Sequence, residues 1–396
     1  MIGVKHKIIR IIKFFIIMFP RSKNIWIFAG DRGLRFADNS RYMFIYSSRY
    51  TDKKCVWLSH NKNIVKEIRE MGYTAYLAKE PFGVYYGLRA KWHIFDVSIS
   101  DSSSFSSIGA YWLNLWHGIP IKNISNMIKP LEKINKKYFL NYVNKEFQYT
   151  IFNSFNIVKE NMIVANQPRN IVFYISAREK EIYETNDEKK ILEKLRSIKR
   201  QKGKILGYFP TWRGQGNEKF MNIDDSQKLK EMNKILEKNN TYILTKRHTC
   251  SFKEYNHSGY SKQSEKNEET IDSMSNFITM EFNIDLNSVI TECDMLISDY
   301  SGVIIDYLLM DKPIILYVYD IEIYQKDPGL YYDYNKFQFG HQVFSMDELI
   351  QTLKVYFKNE TLFSDEFSQD RHILKKKFFD NDECFTPILK VLDQVH

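Results

Sequence analysis

The stretch Ile297-Ser298-Asp299-Tyr300-Ser301-Gly302-Val303-Ile304-Ile305-Asp306 carries the clearest structural pattern in the chain. An apolar run from Asp294 to Ser298 reads as a buried strand. It stops at Ser-Asp-Tyr-Ser, and a helical pattern begins at once over Val303–Met310. Lys312-Pro313 then opens a second apolar strand, Pro313–Tyr317. Strand, sharp turn, helix and strand in close succession form the unit of a parallel sheet covered by helices. Ligands in such sheets sit beyond the carboxyl ends of the strands. Ser301 is expected to cap the helix, whose free N–H groups can hold a phosphate. Asp306 falls roughly one turn inside it.

The same alternation extends in both directions. Toward the C-terminal half it gives strands at Lys204–Phe209 and Thr241–Thr245 and helices at Gln227–Leu236 and Asp285–Thr291. Toward the N-terminus it gives strands at Asn24–Phe28, Lys54–Leu58, Tyr73–Leu77, Trp92–Val97, Trp112–Leu115 and Phe147–Phe152. Helices are expected at Asn63–Met71, Phe82–Arg89 and Ser154–Glu160. The charge-dense stretch Ala177–Lys204 reads as an exposed helix and linker, and Ser251–Ser273 as a polar loop or flap. The organisation is α/β: a first Rossmann-like domain over 21–195, a second over 196–396, and a cleft between them as the expected site.

Composition narrows the classes. The chain has 396 residues, 44% of them hydrophobic, enough for two sizeable cores. Only 16 Gly and 9 Pro exclude collagen-like and low-complexity readings. Four widely separated Cys exclude a disulfide scaffold and the usual zinc spacings, and fit a reducing compartment. The +9 net charge suits an anionic partner. Nucleic acid is not expected, because no basic helix or stacking motif stands out.

Residues 1–20, MIGVKHKIIRIIKFFIIMFP, are interrupted by Arg10 and Lys13. A span needs about 20 nearly uncharged residues. Lys7, Arg10 and Lys13 instead form one polar stripe of a helix whose remaining surface is Ile and Phe. That is the pattern of an amphipathic helix lying against an anionic membrane surface.

Four strand ends carry candidate chemistry. In Leu115-Trp116-His117-Gly118, a strand stops at a histidine able to take a proton near neutral pH. In Tyr208-Phe209-Pro210-Thr211-Trp212-Arg213, a strand enters a turn with a hydroxyl, Thr211, and a guanidinium, Arg213, suited to phosphate. Lys246-Arg247-His248 closes Thr241–Thr245 with three cationic candidates. The fourth is the Ser298–Asp306 stretch itself. A proton acceptor in the first lobe and three phosphate-compatible turns in the second describe a two-lobed transferase using an activated nucleotide. No GxxxxGK[ST] or GxGxxG occurs, which disfavours a P-loop ATPase and a dinucleotide dehydrogenase. No DxD pair stands at a strand end, so the sequence requires no metal.

In combination the clusters resemble the CDP-glycerol glycerophosphotransferases that build teichoic acids and related phosphopolyol capsules. The resemblance runs over most of residues 24–335, through FAGDRGLRFADNSRYMF, VWLSHN, LRAKWHIFD, LWHGIPIK, QPRN, YFPTWR, KRH and LISDYSGVIIDYLLMDKPIILYVYD. It implies two Rossmann-like lobes facing a cleft, the glycosyltransferase B-type fold. It also implies peripheral association with the cytoplasmic face of a bacterial membrane, and transfer of glycerol- or ribitol-phosphate from a CDP donor to a lipid-linked or polymeric glycan, with release of CMP. No cofactor is required. Carried over by position, His117 is the base and His248 a second catalytic candidate. Thr211, Arg213, Lys246, His248, Ser298, Asp299, Ser301 and Asp306 form the donor set. Gly302 stands where the family often has a second serine, and Asp327-Pro328-Gly329 where it usually has Arg-Gly. The alternative is a sugar transferase of the same fold with a nucleotide-sugar donor.

Overall fold

The structure is a computed structural model describing residues 13–124, 136–144, 157–211, 221, 226–246, 274–334, 338–379 and 382–395. The chain divides into two compact units. The first comprises residues 1–117, 127–185 and 379–396, and the second 118–126 and 186–378.

The first unit is built on the strands β1 (Ser22–Phe28), β2 (Lys54–Ser59), β3 (Ala75–Leu77), β4 (Ala90–Phe95), β5 (Tyr111–Asn114), β6 (Tyr138–Tyr142) and β7 (Met162–Val164). Their order across the sheet is β3-β2-β1-β4-β5-β6-β7, and every pairing is parallel. Both faces are covered, so the central strands read as unbroken apolar runs rather than alternations. Trp26 and Phe28 enter one core with Trp57, Trp92 and Leu113, while Ile27 joins Val56, Leu58 and Ala90 on the other face.

The second unit contains β8 (Lys204–Tyr208), β9 (Thr241–Lys246), β10 (Phe277–Met280), β11 (Met295–Ser298), β12 (Ile314–Tyr317) and β13 (His341–Val343), ordered β10-β9-β8-β11-β12-β13 and again parallel throughout. Leu206, Ile243, Met295, Ile297 and Ile315 pack beneath the helix Met346–Lys358 through its Leu349 and Leu353. Each sheet reverses its strand order once, between β1 and β4 and between β8 and β11. Such reversal points open the crevice in which ligands bind.

Several elements differ from the sequence reading. The helix Asp38–Tyr50 was not expected, because its buried residues include Asn39, Ser40, Arg41 and Ser47, which break apolar periodicity. Strands β6, β7, β10 and β13 are three to five residues long, too short for a periodic signal. The Asp294–Ser298 and Val303–Met310 elements are present as Met295–Ser298 and as an α-helix, Val303–Tyr307, that tightens into a 3-10 turn, Leu308–Met310. Where a helix over Ser154–Glu160 was expected, the described part holds only the 3-10 turn Lys159–Asn161. The strand expected at Phe147–Phe152 and the loop expected at Ser251–Ser273 lie outside the described residues.

The charged stretch holds the expected helix, Asn186–Arg200, but one face of it is packed. Leu192 and Leu195 are buried, and the buried Glu188 accepts from the Asp285 N–H at 2.9 Å. The second unit accordingly takes in this helix from 186, ahead of the boundary expected at 195/196. The helix Thr386–Gln394 returns to the first unit, placing Ile388 and Leu392 in its core and accepting from Trp92 Nε1 at the Leu392 carbonyl, 3.1 Å.

Residues 13–18 are helical. Ile16 is buried, while Phe14, Phe15, Ile17 and Met18 are 57–67% exposed. Arg21 fixes the exit of this helix by donating to the carbonyls of Gly87, Ala90, Ser106 and Ile108 at 2.6–3.1 Å. Its burial pulls the guanidinium down to about 10. Lys7 and Arg10 lie outside the described residues. Among the described residues, no helix is long and apolar enough to cross a membrane.

Candidate functional site

In the second unit the turns after β8 and β11 meet at the reversal point of the sheet. Phe209 N–H donates to Ile297 O at 3.1 Å, and Ser298 Oγ donates to Phe209 O at 2.6 Å. The Asp299 carboxylate accepts through Oδ1 from both Thr211 N–H, at 2.7 Å, and Tyr300 N–H, at 2.6 Å. Thr211, Ser298 and Asp299 are thus brought together, and the contacts of Ser298 and Asp299 brace one turn against the other. Tyr334 OH donates to the Asp299 carbonyl. Tyr300 stacks on Tyr324 at 4.1 Å and donates to Asp320 at 3.1 Å, which fixes the turn from its outer side.

The cap expected from Ser301 is not formed. The N-cap position of Val303–Tyr307 is Gly302, in helical conformation and with no side-chain cap bond, so the turn is wound one residue later than the serine requires. Ser301 contributes its carbonyl instead, accepting from Ile304 N–H at 3.1 Å. Glycine at 302 has a steric cause, since a Cβ there would lie 2.9 Å from the Ile119 carbonyl oxygen. That carbonyl belongs to the 118–126 segment, which is part of this unit and is held by Tyr331 N–H donating to Ile121 O at 2.9 Å and Asn123 N–H donating to Gly329 O at 2.9 Å. The serine that the family resemblance places at 302 would push this segment away.

Asp306 is buried in the helix that follows. At the end of β9, Lys246 Nζ donates to the Ile284 carbonyl at 2.5 Å and lies 6.0 Å from the Phe282 ring. The lysine therefore fastens its strand end to the 282–284 turn. Arg213 and His248 lie outside the described residues.

In the first unit His117 follows the end of β5 with its side chain exposed, whereas Trp116 before it is buried. Trp116 has φ 56° and Gly118 φ 140°, so the backbone on both sides of the histidine sits in the left-handed half of conformational space. Trp116 N–H donates to Asn114 Oδ1 at 2.8 Å. Asn39 Nδ2 donates to the Trp116 carbonyl at 2.7 Å, and Arg169 Nη1 donates to the His117 carbonyl at 3.0 Å. His93, inside β4, is fully buried against Gly87 O and Ser102 Oγ. Burial drives it down to about 3, which leaves it a neutral packing group.

Asp96, just beyond β4, is buried and accepts from Ser40 N–H at 2.8 Å, with Ser40 Oγ 2.5 Å from its second oxygen. Burial, and next the charge of Asp38, push this carboxyl well above the usual range. The folded chain therefore holds a proton that the unfolded chain releases near pH 4, and stability drains away as pH rises from there toward the folded-state value. Asp96→Asn removes that dependence. Its melting temperature relative to the parent is expected to climb between pH 5 and pH 8; a constant difference in thermal scans across that range would show an ionised Asp96.

Sequence reasoning assigned no role to Asp38, Asn39, Ser40, Asp96 or Arg169. The available signal was their placement in ADNS, HIFD and QPRN, three motif pieces without an evident chemistry of their own.

Comparison with known proteins bears on this arrangement. Residues 11–383 match the family described as CDP-glycerol:poly(glycerophosphate) glycerophosphotransferase. The chain is 26% identical over 390 residues to a teichoic acid poly(glycerol phosphate) polymerase of Bacillus spizizenii, covering 88% of this chain and 89% of that one. It is 23% identical over 382 residues to a teichoic acid glycerol-phosphate transferase of Staphylococcus aureus, covering 90% and 89%. A solved structure of the wall teichoic acid polymerase TagF shares the fold, with a TM-score of 0.67 at 18% identity over 98% of this chain and 94% of that one. With the family match running from residue 11 to residue 383, the chain belongs to the CDP-glycerol:poly(glycerophosphate) glycerophosphotransferases.

Proposed function

We propose that the chain transfers glycerol- or ribitol-phosphate from a CDP-activated donor to a hydroxyl of a lipid-linked or polymeric glycan, in teichoic-acid or capsule synthesis. The acceptor oxygen attacks the β-phosphorus. A bond forms from that oxygen to phosphorus, the bond from phosphorus to the bridging oxygen breaks, and CMP departs with the bridging oxygen. His117 takes the acceptor proton and later passes it to solvent. Arg213, His248, Thr211 and the N–H groups around Ser301 offset charge on the diphosphate. Asp306 holds polyol hydroxyls or orients His248. The reading requires no cofactor. The first unit serves the acceptor and the second the donor. Beside family membership, the observation that carries the reading is the pair of strand-end turns joined by Asp299 at the reversal point of the second sheet.

A donor panel tests it. CMP release from CDP-glycerol or CDP-ribitol in the presence of a lipid-linked acceptor is expected; UDP or CMP release from sugar nucleotides alone would make the chain a sugar transferase instead.

The proposal includes a place of action, the cytoplasmic face of the membrane. It is supported by the exposed Phe14, Phe15, Ile17 and Met18 beyond the Arg21 anchor. Each Lys or Arg near an anionic surface contributes about 1 kcal/mol. The Lys7/Arg10/Lys13→Glu triple variant is therefore expected to lose binding to anionic vesicles while consuming a soluble acceptor at the parent rate. Full sedimentation of this variant with vesicles would contradict the charge-assisted contact.

A further inference from the structure

The main chain around His117 is held by two side chains from distant parts of the first unit. The Asn39 carboxamide is fully buried and uses both ends: Nδ2 donates to the Trp116 carbonyl at 2.7 Å, and Oδ1 accepts from Arg169 N–H at 3.0 Å. The Arg169 guanidinium, also buried, donates through Nη1 to the His117 carbonyl at 3.0 Å and to Asp38 Oδ1 at 2.9 Å. Two consecutive carbonyls, those of residues 116 and 117, are thus each fixed by a separate donor, and the two donors are joined to each other.

Such holding has a purpose that packing alone does not supply. Trp116 is in the left-handed region, where a tryptophan is strained, and it persists only if its surroundings over-determine it. Relaxation of residue 116 would swing the next side chain, and that side chain is the exposed His117. A general base must stand within hydrogen-bond reach of the proton it takes, and a displacement of about 1 Å can lower a rate about 10²-fold.

We propose that Asn39 and Arg169 are positioning residues for His117: they clamp the carbonyls of Trp116 and His117, so that the strained backbone presents the imidazole in one orientation. Asp38 holds the guanidinium for this task. This rests on the reading of His117 as the base and adds to it the residues that aim that base.

Asn39→Asp is the sharpest substitution. It keeps Oδ1 for the Arg169 N–H but sets a carboxylate oxygen against the Trp116 carbonyl. The purified full chain is assayed for CMP release from CDP-glycerol in four forms: parent, Asn39→Asp, His117→Ala and the double variant. Asn39→Asp is expected to lower kcat about 10²-fold with the donor KM within about twofold. In the His117→Ala background the same substitution is expected to change the residual rate less than twofold, because the base it aims is gone. An equal loss in both backgrounds, or an unchanged kcat for Asn39→Asp, would overturn the clamp. Full turnover of His117→Ala would instead remove the base assignment itself, and the clamp with it.

If Asn39→Asp does not fold, the Arg169 pair carries the test. Arg169→Met is expected to lose about as much kcat, and Arg169→Lys, which keeps a cationic donor, to recover most of it. Equal rates for the Met and Lys variants would overturn the clamp.

Discussion

Replacing His117 by alanine is expected to lower turnover by about 10²–10⁴-fold while leaving donor affinity within a few-fold. The expectation follows from where the residue stands. His117 is exposed at the end of β5, while its neighbours are buried and its main chain is fixed. His93 is unable to replace it, since it is enclosed and held neutral. The imidazole is exposed but lies 4.0 Å from the buried Trp116 ring, so a thermal scan of the variant separates lost packing from lost chemistry. Steady-state CMP release and titration of donor binding read the two effects separately. Near-parental turnover by a folded variant would remove His117 from the mechanism.

The second large effect is expected at Asp299. Its carboxylate accepts two backbone N–H groups, one from each turn at the reversal point of the second sheet, and it is buried. Hydrogen bonds to a charged partner contribute about 1.5–3 kcal/mol each, so Asp299→Ala is expected to destabilise the second unit by about 3 kcal/mol or more. That corresponds to a fall in its melting temperature of roughly 6–12 °C. Because the Thr211 turn would drift from β11, the donor KM is expected to rise as well. Asp299→Asn, which keeps a neutral acceptor in place, is expected to recover part of both losses. Calorimetry and donor titration on the three proteins give the comparison; an unchanged melting temperature for the alanine variant would mean that the turns hold together without the carboxylate.

The parts of the fold legible in the sequence are those where a strand is buried on both faces and bounded by turn residues. Trp26–Phe28, Val56–Leu58 and Leu296–Ser298 are of this kind, and each lies in a strand paired on both sides. The strand ends carrying His117 and Ser298–Asp299 were visible for the same reason, since an apolar run that stops at polar residues marks the carboxyl end of a strand. The helix Asp38–Tyr50 was hidden because it turns Asn39, Ser40 and Arg41 inward, and those are the residues that reach Trp116, Asp96 and Tyr183. The polar positions that spoiled its periodicity are thus the ones that tie the helix to the turn after β5, to the end of β4 and to Tyr183. The return of Thr386–Gln394 to the first unit was equally hidden, because nothing in an amphipathic helix names the sheet it will cover. Ser301 shows the limit of local pattern: a serine before a helix predicts a cap, but the Ile119 carbonyl beside Gly302 decides how that turn is wound.

The central claim is that a polyol-phosphate, and not the polyol alone, passes to the acceptor. It is tested most directly by CDP-glycerol carrying a phosphorus label at the β position only, incubated with the purified chain and a lipid-linked acceptor. The account predicts that the label enters the acceptor as a phosphodiester and that the CMP released is unlabelled. Label recovered in CDP, with none in the acceptor, would contradict it.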